Sequence, residues 1–508
     1  MTDYNIITYE SVSNSDSHPE RLALLGRLLG LSTPDPQQCR VLELGCGTGG
    51  NLIPMAWRNP QNSYLGVELA QTQVDMGRRM MTQLQIKNMT IVCQDILEFQ
   101  AEPASFDYII AHGVYSWVPA VVREQILTLC QQYLSPQGVA YISYNTLPGW
   151  RMRGMLRDML QFHNRGLEDQ HLKLRHAREF LQSLGAALNH QKTPYAEFLK
   201  KEVAYLDKAH DSYLYHEYLE INNDAFFFTD FIQDCRHHQL RYLCDSELHA
   251  MFPSSLGAEV AQHCEQLGEQ YQGIVNTEQY LDFVRNRTFR QSLLCHADCP
   301  VDYEIDLDKL LEYAVYADLK PPTEVRRDFP AAQNFSDQKG LIFAVNHALS
   351  QAMLALLYEE YPAAVGLQQL LEKAQLALPK NDRNYGEEIQ LCLHELFNLF
   401  ANQALALTLS PACVPKPSLA FPKINALAQA EAPFGRLTTY RHETLTLDEF
   451  SSRLLQYMDG QHHYDQIVKN LVEDITAGHL QKFSTSNNNV AANCQRLIQL
   501  FARQGILV

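Results

Sequence analysis

The feature that most constrains the fold is a glycine-rich turn within residues 40–52, RVLELGCGTGGNL. A short apolar run with strand character precedes the glycines, and an apolar run with helical character follows them. Glycine permits positive φ angles and lets the backbone approach a ligand, while the first N–H groups of the next helix face that ligand. The segment therefore predicts a strand, turn and helix unit that binds a nucleotide-like molecule.

Two classes of ligand are compatible with this turn. Gly45, Gly47 and Gly50 satisfy the GxGxxG pattern of dinucleotide-binding proteins. Read from Glu43 and extended to Gly49, the same turn also satisfies the acidic-x-GxGxG pattern of enzymes that use S-adenosylmethionine. The carboxylate of Glu43 can bind the ammonium of a methionine group, but it would repel a pyrophosphate. This acid therefore favours S-adenosylmethionine.

Two further acids follow two further predicted strands. The strand at residues 64–69 places Glu68 where a carboxylate can accept hydrogen bonds from both hydroxyls of a ribose. The strand at residues 89–96 places Asp95 where it could accept a hydrogen bond from an adenine amine. Helix capping is an equal alternative for any one acid at the end of a strand. Three acids after three successive strands favour a common cofactor site.

The order of predicted elements indicates an α/β fold with a doubly wound, Rossmann-like sheet. Strands at residues 106–112 and 138–144 continue the alternation with helices, and ligands of such sheets bind beyond the carboxyl ends of the strands. Residues 151–215 show helical spacing instead, so they are predicted to be a helical insertion. The last two strands of the sheet are then expected at residues 239–244 and 290–295.

Aromatic and polar residues follow the fourth and fifth strands, HGVYSWVP at 112–119 and YNTLPGW at 144–150. Methyl transfer from a sulfonium requires alignment of the acceptor, exclusion of water and electron-rich walls. Aromatic faces attract a sulfonium or an amine by about 0.5 to 2 kcal/mol, and an apolar slot lowers the pKa of a lysine acceptor. Core packing remains the alternative for each aromatic side chain, and His112 is balanced between ligand contact and a core position.

Five motifs, at residues 41–54, 112–119, 143–150, 215–220 and 283–296, resemble one family. They are similar to class I methyltransferases that carry a methyltransferase regulatory domain, a group that includes the rickettsial-type lysine methyltransferases acting on outer-membrane protein. The resemblance extends over about residues 9 to 300. It implies S-adenosylmethionine as cofactor and, from the characterised relatives, a protein lysine as acceptor.

The resemblance also covers the N-terminal lead-in, since Tyr9, Ser11 and His18 match it, and it implies a lid over the cofactor. The residues predicted to bind the cofactor are Glu43, Gly45, Cys46, Gly47, Thr48, Gly49, Asn51, Glu68, Leu69, Asp95, Ile96, His112 and Gly113. The residues predicted to act in methyl transfer are Tyr9, His112, Tyr115, Trp117, Tyr144, Asn145 and Trp150.

The C-terminal part of the chain contains a weak internal repeat. The pattern of apolar residues at 396–405 recurs 101 positions later at 497–506, which predicts two mainly helical, winged-helix-like units. A proline-rich segment at 411–433 is predicted to link them. The predicted domains are a catalytic core at 1–150, a helical and possibly dimerising insertion at 151–215, a regulatory segment at 216–300, and winged-helix-like units at 301–422 and 423–508.

Charge, hydropathy and cysteine spacing indicate which classes of partner and ligand the chain is not expected to bind. With 41 basic and 58 acidic residues the net charge is −17, and the predicted recognition helices hold few cations, so nucleic acid is disfavoured as a partner. No apolar run approaches a membrane span and the first residues do not resemble a secretory signal, so a cytoplasmic location is expected. The cysteines at 235 and 295–299 match no zinc spacing, and no metal is expected.

Three functions are compatible with these features. The leading interpretation is an S-adenosylmethionine-dependent methyltransferase acting on a protein side chain, because several hundred residues appended to the core favour a large substrate. The alternatives are a small-molecule N- or O-methyltransferase and a cofactor-sensing scaffold without catalysis.

Overall fold

The structure is a computed structural model that describes residues 6–9, 11–270, 273–322, 332–378, 385–414, 417–480 and 490–508. The chain forms two compact units. The first comprises residues 1–11, 33–82 and 86–300, and the second comprises residues 12–32, 83–85 and 301–508. Residues 12–32, which the sequence analysis includes in the catalytic core, thus belong to the second unit, because their helix packs among its elements.

The first unit is built on one sheet. Its strands are β1 Arg40–Leu44, β2 Ser63–Glu68, β3 Met89–Cys93, β4 Phe106–Ala111, β5 Leu134–Thr146, β6 Ala225–Phe226, β7 Leu240–Asp245 and β8 Phe289–His296. Helix α1, Pro19–Leu28, belongs to the second unit. The helices of the first unit are α2 Leu52–Arg58, α3 Gln71–Gln83, α4 Ala120–Tyr133, α5 Gly149–His163, α6 Gln170–Leu188, α7 Pro194–Lys208, α8 Asp211–Leu214, α9 Phe228–His237, α10 Ala258–Gln270 and α11 Ile274–Arg285.

The sheet has the order β3-β2-β1-β4-β5-β8-β7, and the short β6 pairs with the end of β5. Strands β1 to β5 are parallel to one another, whereas β8 is antiparallel to both of its neighbours, β5 and β7. This arrangement confirms the Rossmann-like sheet expected from the sequence. The strand order reverses between β1 and β4, and such a reversal opens a crevice at the carboxyl ends of the two strands.

Strands β7 and β8 lie within the part of the chain that follows the helical insertion. Strand β8 enters the sheet directly beside β5, where Ser143 is paired with Gln291. Residues beyond 215 therefore form the side of the sheet next to β5, with β8 as an inner strand and β7 at the edge. All residues of β8 except the two terminal ones are buried, and they include the polar Arg290, Gln291 and Ser292.

Helices α5 to α8 form a bundle with its own apolar core. Leu156, Leu181, Val203 and Leu214 contribute to this core, and the N-terminal Ile7 packs into it. Side-chain caps define two of the helix starts, since the N–H groups near the beginnings of α6 and α7 bond to Asp169 and Thr193. Helix α8 continues into a single π-helical turn, Tyr215–Leu219.

The second unit contains two groups of elements besides α1. The first group is β9 Ala314–Tyr316, β10 Gln333–Ser336, β11 Ile342–Val345, α12 Ala348–Glu360, β12 Val365–Gly366, α13 Leu367–Ala377, α14 Tyr385–Ala401 and β13 Ala406–Thr408. Strands β12, β9 and β13 form an antiparallel sheet. The second group is α15 Ala426–Glu431, β14 Arg436–Thr438, β15 Thr444–Thr446, α16 Glu449–Tyr457, α17 Tyr464–Thr476 and α18 Val490–Arg503.

The predicted linker at residues 411–433 is wrong in its second half. Ile424 forms a bridge with Leu507, and residues 426–431 form α15. Ile424 and Ala428 are buried in the apolar core of the last group. The described prolines of this segment, at 411, 417, 422 and 433, are compatible with a folded segment, because all four lie outside α15. Pro415 lies outside the described residues.

Candidate functional site

The glycine-rich turn follows β1 and presents mainly backbone. Gly45, Gly47 and Gly49 adopt φ angles of +70°, +57° and +77°. The N–H groups of Gly45 and Cys46 both donate to the carbonyl of Val67, at 2.8 and 3.1 Å. The side chain of Cys46 is buried. Its contribution to a ligand surface is therefore limited to its backbone, as the glycine-rich composition of the turn suggests.

Ser11 from the N-terminal lead-in lies against this turn. Its hydroxyl donates to the carbonyl of Cys46 at 3.2 Å and accepts from the N–H of Gly50 at 2.9 Å. A Cβ on Gly50 would overlap the backbone of Ser11. The absence of a side chain at Gly50 thus permits the lead-in to contact the turn.

This contact provides a test of the proposed lid. We expect Gly50→Ala to displace Ser11, and the loss of two hydrogen bonds of about 0.5 to 1.5 kcal/mol each predicts roughly tenfold faster cofactor dissociation. Stopped-flow measurement of S-adenosylhomocysteine release checks this. Gly154→Ala is the control, since a Cβ there meets no atom within 4 Å. Equal release rates in the two variants would exclude a lid that depends on Ser11.

Glu43 is a buried acid at the end of β1. Its Oε1 accepts from Nδ2 of Asn51 at 2.9 Å, so both predicted residues are adjacent. In the described part of the chain, the buried Oε2 has no hydrogen-bond partner. Burial raises the pKa of Glu43 to about 8, and the neighbouring carboxylate of Glu68 contributes to the increase. A cation placed beside Oε2 would therefore restore the charge of this carboxylate.

Glu68 connects the end of β2 to the glycine turn. Its Oε2 accepts from the N–H of Gly47 at 2.9 Å, and its Oε1 accepts from the N–H of Ala70 at 2.8 Å. Burial raises the pKa of Glu68, while these backbone N–H groups act in the opposite direction. A carboxylate has further lone pairs beyond these two bonds. Glu68 can thus hold the turn in place and still accept from a ligand hydroxyl.

The third acid caps a helical turn. Oδ1 of Asp95 accepts from the N–H of Leu97 at 2.9 Å, which is the capping alternative that the sequence leaves open. Asp95 and Ile96 are both partly exposed after β3, and Leu69 after β2 is 57% exposed. Thr48 is likewise partly exposed on the turn.

His112 follows β4 and lies in a hydrogen-bond network with β5 and β8. Its Nδ1 is 2.9 Å from the Tyr141 hydroxyl, which itself donates to Oε1 of Gln291. The Tyr141 oxygen therefore accepts from Nδ1–H. Ser143 Oγ accepts from the N–H of Gly113 at 2.8 Å and is also close to the imidazole. These contacts place His112 and Gly113 together at the carboxyl end of β4.

His112 as a residue is exposed to solvent, yet protein atoms surround its imidazole ring. These surroundings desolvate it and lower its pKa to about 4. The imidazole is therefore neutral at pH 7. Gly113, at φ +65°, is exposed, and a Cβ built on it would meet no atom within 4 Å. The two residues thus form an open surface at the end of β4.

The pKa of His112 predicts a pH dependence. Unfolded histidine binds a proton near pH 6.5, whereas folded His112 does so only near its pKa of about 4. The unfolded state therefore binds more protons between these values, and stability falls as pH decreases from 6.5 to 4. We expect His112→Gln to weaken this dependence in urea unfolding. NMR titration of the ring checks the pKa directly, and a midpoint near 6.5 would contradict it.

Two predicted chamber residues pack into the interior. Tyr144 is fully buried, and its ring stacks on that of Phe231 with centroids 4.1 Å apart. Its hydroxyl shares a hydrogen bond with the Ser292 hydroxyl at 3.0 Å. Tyr115 is also buried, with edge contacts to Phe226 and Phe231. These contacts favour core packing over contact with an acceptor, because Phe231 on α9 covers the face of the sheet to which both rings point.

The remaining predicted residues surround the end of β5. Asn145 is buried and donates from Nδ2 to Asn223 at 3.0 Å. Trp150 is 7% exposed at the beginning of α5, below the guanidinium of Arg153, whereas Trp117 is partly exposed. Tyr9 is 44% exposed and its ring contacts that of His216 at 5.5 Å. Asn145, Trp117 and Trp150 therefore lie around the ends of β4 and β5.

Strand β8 contributes two residues to the surroundings of His112 that are not among the predicted site residues. Gln291 accepts from Tyr141, and Phe289 contacts the ring of His112 edge-on at 6.3 Å. The available signal was the run of polar residues Arg290, Gln291 and Ser292 in a segment predicted to be a strand of the sheet. This signal could have identified the contact with Tyr141 only if the antiparallel pairing of β8 with β5 were known, and local sequence does not specify that pairing.

Comparisons with known proteins identify the family. A family described as "Methyltransferase domain" matches residues 41–138, "Predicted methyltransferase regulatory domain" matches residues 210–296, and "PKMT, C-terminal winged helix domain" matches residues 421–505. The uncharacterized protein RP789 of Rickettsia prowazekii is 32% identical over 494 residues, with 94% of this chain and 87% of that protein covered. The chain belongs to the class I methyltransferases that carry a regulatory domain.

Solved structures support the same assignment for this methyltransferase. PKMT2 from Rickettsia typhi has 28% sequence identity and a TM-score of 0.83, covering 98% of this chain and 100% of that one. The structure of PKMT2 in complex with AdoHcy has a TM-score of 0.84 and covers 98% of this chain. The methyltransferase therefore uses S-adenosylmethionine, and its last group of elements is a winged helix domain.

Two further observations concern other ligands and membranes. Among the described residues, no group of three or more His, Cys, Asp or Glu side chains is arranged to hold a metal ion. In the same part of the chain, no helix combines the length and apolar character needed to cross a bilayer.

Proposed function

We propose that this methyltransferase acts on lysine side chains of proteins. The observation that carries the proposal is the open surface at His112 and Gly113, where the end of β4 is exposed to solvent. A side chain projecting from a folded protein can reach such a surface, whereas a small metabolite needs an enclosing pocket. The resemblance to rickettsial-type lysine methyltransferases and the match to the PKMT winged helix domain support a protein substrate.

Five predicted residues have chemistry that fits the cofactor. The buried Oε2 of Glu43, which has no hydrogen-bond partner among the described residues, suits the cofactor ammonium, and Asn51 orients that carboxylate. Glu68 suits the ribose hydroxyls, while exposed Leu69 and partly exposed Ile96 suit the two faces of an adenine. The bound cofactor would supply an electrophilic methyl group on a positively charged sulfur.

Residues at the ends of β4 and β5 would prepare the acceptor. A neutral His112 does not repel an approaching amine, and its low pKa prevents it from retaining the amine proton at pH 7. The aromatic rings of Trp117 and Trp150 can attract a cation and exclude water. Tyr115 and Tyr144 would act indirectly, by packing the end of the sheet in place.

Labelled cofactor and cell lysate test the proposal. We expect purified protein to transfer the labelled methyl group to protein, and hydrolysis of the product to release methylated lysine. Label in the small-molecule fraction would instead indicate a small-molecule methyltransferase. Cofactor binding without transfer would indicate a scaffold. Dimerisation through the helical insertion, a cytoplasmic location and the lack of nucleic-acid binding remain predictions.

A further inference from the structure

An acid that the proposed cofactor site does not use lies in the π-helical turn after α8. Glu217 is only 8% exposed, and in the described part of the chain no donor forms a hydrogen bond with its carboxylate. Burial raises its pKa to about 8, while Arg153 acts in the opposite direction. A buried carboxylate without donors is costly unless a cation reaches it. Such π-helical turns often occur at functional sites.

Three tyrosines lie in a row beside this acid. Tyr205 on α7 is 49% exposed, and the centroid of its ring is 5.8 Å from that of Tyr213. The Tyr213 centroid is in turn 6.4 Å from that of the fully buried Tyr218. The row thus leads from the surface to the interior. Within the described residues, the hydroxyl of Tyr218 is buried and has no hydrogen-bond partner. Tyrosine faces attract cations, and a phenol oxygen can accept from an ammonium.

The charges of this cluster are unbalanced. Arg153 on α5 contributes one positive charge, and its ion pair with Glu202 is long, at 3.8 Å. The Oε2 atom of Glu202 has no hydrogen-bond partner among the described residues. Ionised Glu217 and Glu202 would therefore share one guanidinium. With both acids ionised, these three side chains carry a net charge of −1, which one further cation would neutralise.

The cluster is connected to the end of the catalytic sheet. The carbonyl of Glu217 accepts from Nδ2 of Asn223 at 2.7 Å, and Oδ1 of Asn223 accepts from Asn145 at 3.0 Å. Asn145 lies at the end of β5, and Trp150 below Arg153 begins the next helix. Two hydrogen bonds thus join the backbone of Glu217 to the strand end that borders the proposed acceptor site.

We propose that Glu217, with the row Tyr205, Tyr213 and Tyr218, binds the ammonium-bearing side chain of the acceptor lysine. The identity of the acceptor rests on the proposed function. The tyrosine rings contact the aliphatic part of the side chain, and the Glu217 carboxylate and Tyr218 hydroxyl accept from its ammonium. Glu217 is thus a specificity-determining residue that selects a cationic acceptor.

The probe for this site is n-butylammonium, which reproduces a lysine side chain, and n-butanol is its neutral counterpart. NMR titrations use the full chain saturated with S-adenosylhomocysteine. We expect wild type to prefer n-butylammonium, and Glu217→Gln to weaken its binding about tenfold or more. Tyr218→Phe is expected to weaken it about threefold. The control Glu197→Gln removes an acid of α7 that is paired with Lys200 and should bind as wild type does.

Retained binding of S-adenosylhomocysteine by Glu217→Gln shows that the variant is folded. Equal binding of n-butylammonium by this variant and wild type would overturn the assignment, as would equal affinity for n-butylammonium and n-butanol. The proposed function fails separately, if lysate protein acquires no methylated lysine. Where lysine is methylated, Glu217→Gln should raise the KM for the protein substrate about tenfold, and an unchanged KM would overturn the assignment.

Discussion

Replacing Glu68 with alanine is expected to raise the Kd for S-adenosylhomocysteine about 100-fold, equivalent to roughly 2.7 kcal/mol. The carboxylate accepts from the N–H groups of Gly47 and Ala70, and both bonds are lost in the variant. Each hydrogen bond to a charged group contributes about 1.5 to 3 kcal/mol. The loss would loosen the glycine turn and remove the proposed acceptor for the ribose hydroxyls at the same time.

Calorimetric titration of the full chain measures this effect, and circular dichroism verifies that the fold persists. Glu98→Ala is a matched control, because it removes an exposed acid from the short helical turn after β3. Glu68→Gln should be intermediate, since an amide oxygen can accept from only one of the two backbone donors while its NH₂ group faces the other. An unchanged Kd in Glu68→Ala would remove Glu68 from the cofactor site.

Arg290→Ala is expected to lower the free energy of unfolding of the first unit by about 3 to 5 kcal/mol. The guanidinium of Arg290 is fully buried and pairs with Glu278 and Asp282 at 2.9 and 2.8 Å. Asp245 is 3.6 Å away, and the ring of Phe228 covers the guanidinium at 3.7 Å. Removing this cation leaves buried carboxylates without their partner, and the cost of that exceeds the cost of losing a surface ion pair.

Urea unfolding followed by tryptophan fluorescence is selective for this unit, because the chain has three tryptophans and Trp57, Trp117 and Trp150 all belong to it. Arg40→Ala is the matched control. Its guanidinium is half exposed beside Asp107, so a change of only about 0 to 1 kcal/mol is expected. Equal effects of the two substitutions would show that the buried network contributes no more than a surface pair.

The pH dependence gives a second check on the network. Burial raises the pKa values of Glu278 and Asp282 even with Arg290 present. Without the arginine these values rise further, so the carboxyls of the variant take up protons at higher pH, and protonation relieves part of the cost. The stability difference between wild type and Arg290→Ala should therefore decrease as pH falls. Arg290→Met combined with Glu278→Gln and Asp282→Asn should recover part of the loss.

Local sequence was sufficient for the part of the site that depends on chain neighbours. The glycines after β1 have positive φ angles, and Glu43 lies two residues before the first of them. Glu68 lies at the end of the adjacent parallel strand, where it contacts the turn. These placements follow from strand periodicity and from the right-handed crossovers of a parallel sheet. They do not depend on contacts with segments that are distant in the sequence.

The direction of the aromatic side chains could not be predicted in the same way. Tyr141 and Tyr144 both lie in β5, yet Tyr141 contacts His112 and Tyr144 stacks on Phe231 of α9. Alternation along a strand separates two faces, but it does not say which face another helix covers. That choice depends on α9, which comes about 90 residues later in the chain.

The amino-acid sequence by itself determined the class of fold and the glycine turn with its acids, because short-range backbone preferences and the 2.0 and 3.6 residue periods are local properties. Only the tertiary structure decided that Gln291 supports Tyr141 beside His112. It also decided that the Glu217 carboxylate, which accepts no hydrogen bond from the described residues, is linked through Asn223 to the end of β5. Both depend on contacts between segments more than 70 residues apart. The physical reason is that side-chain burial and strand register are set by the packing of distant elements, which no single segment encodes.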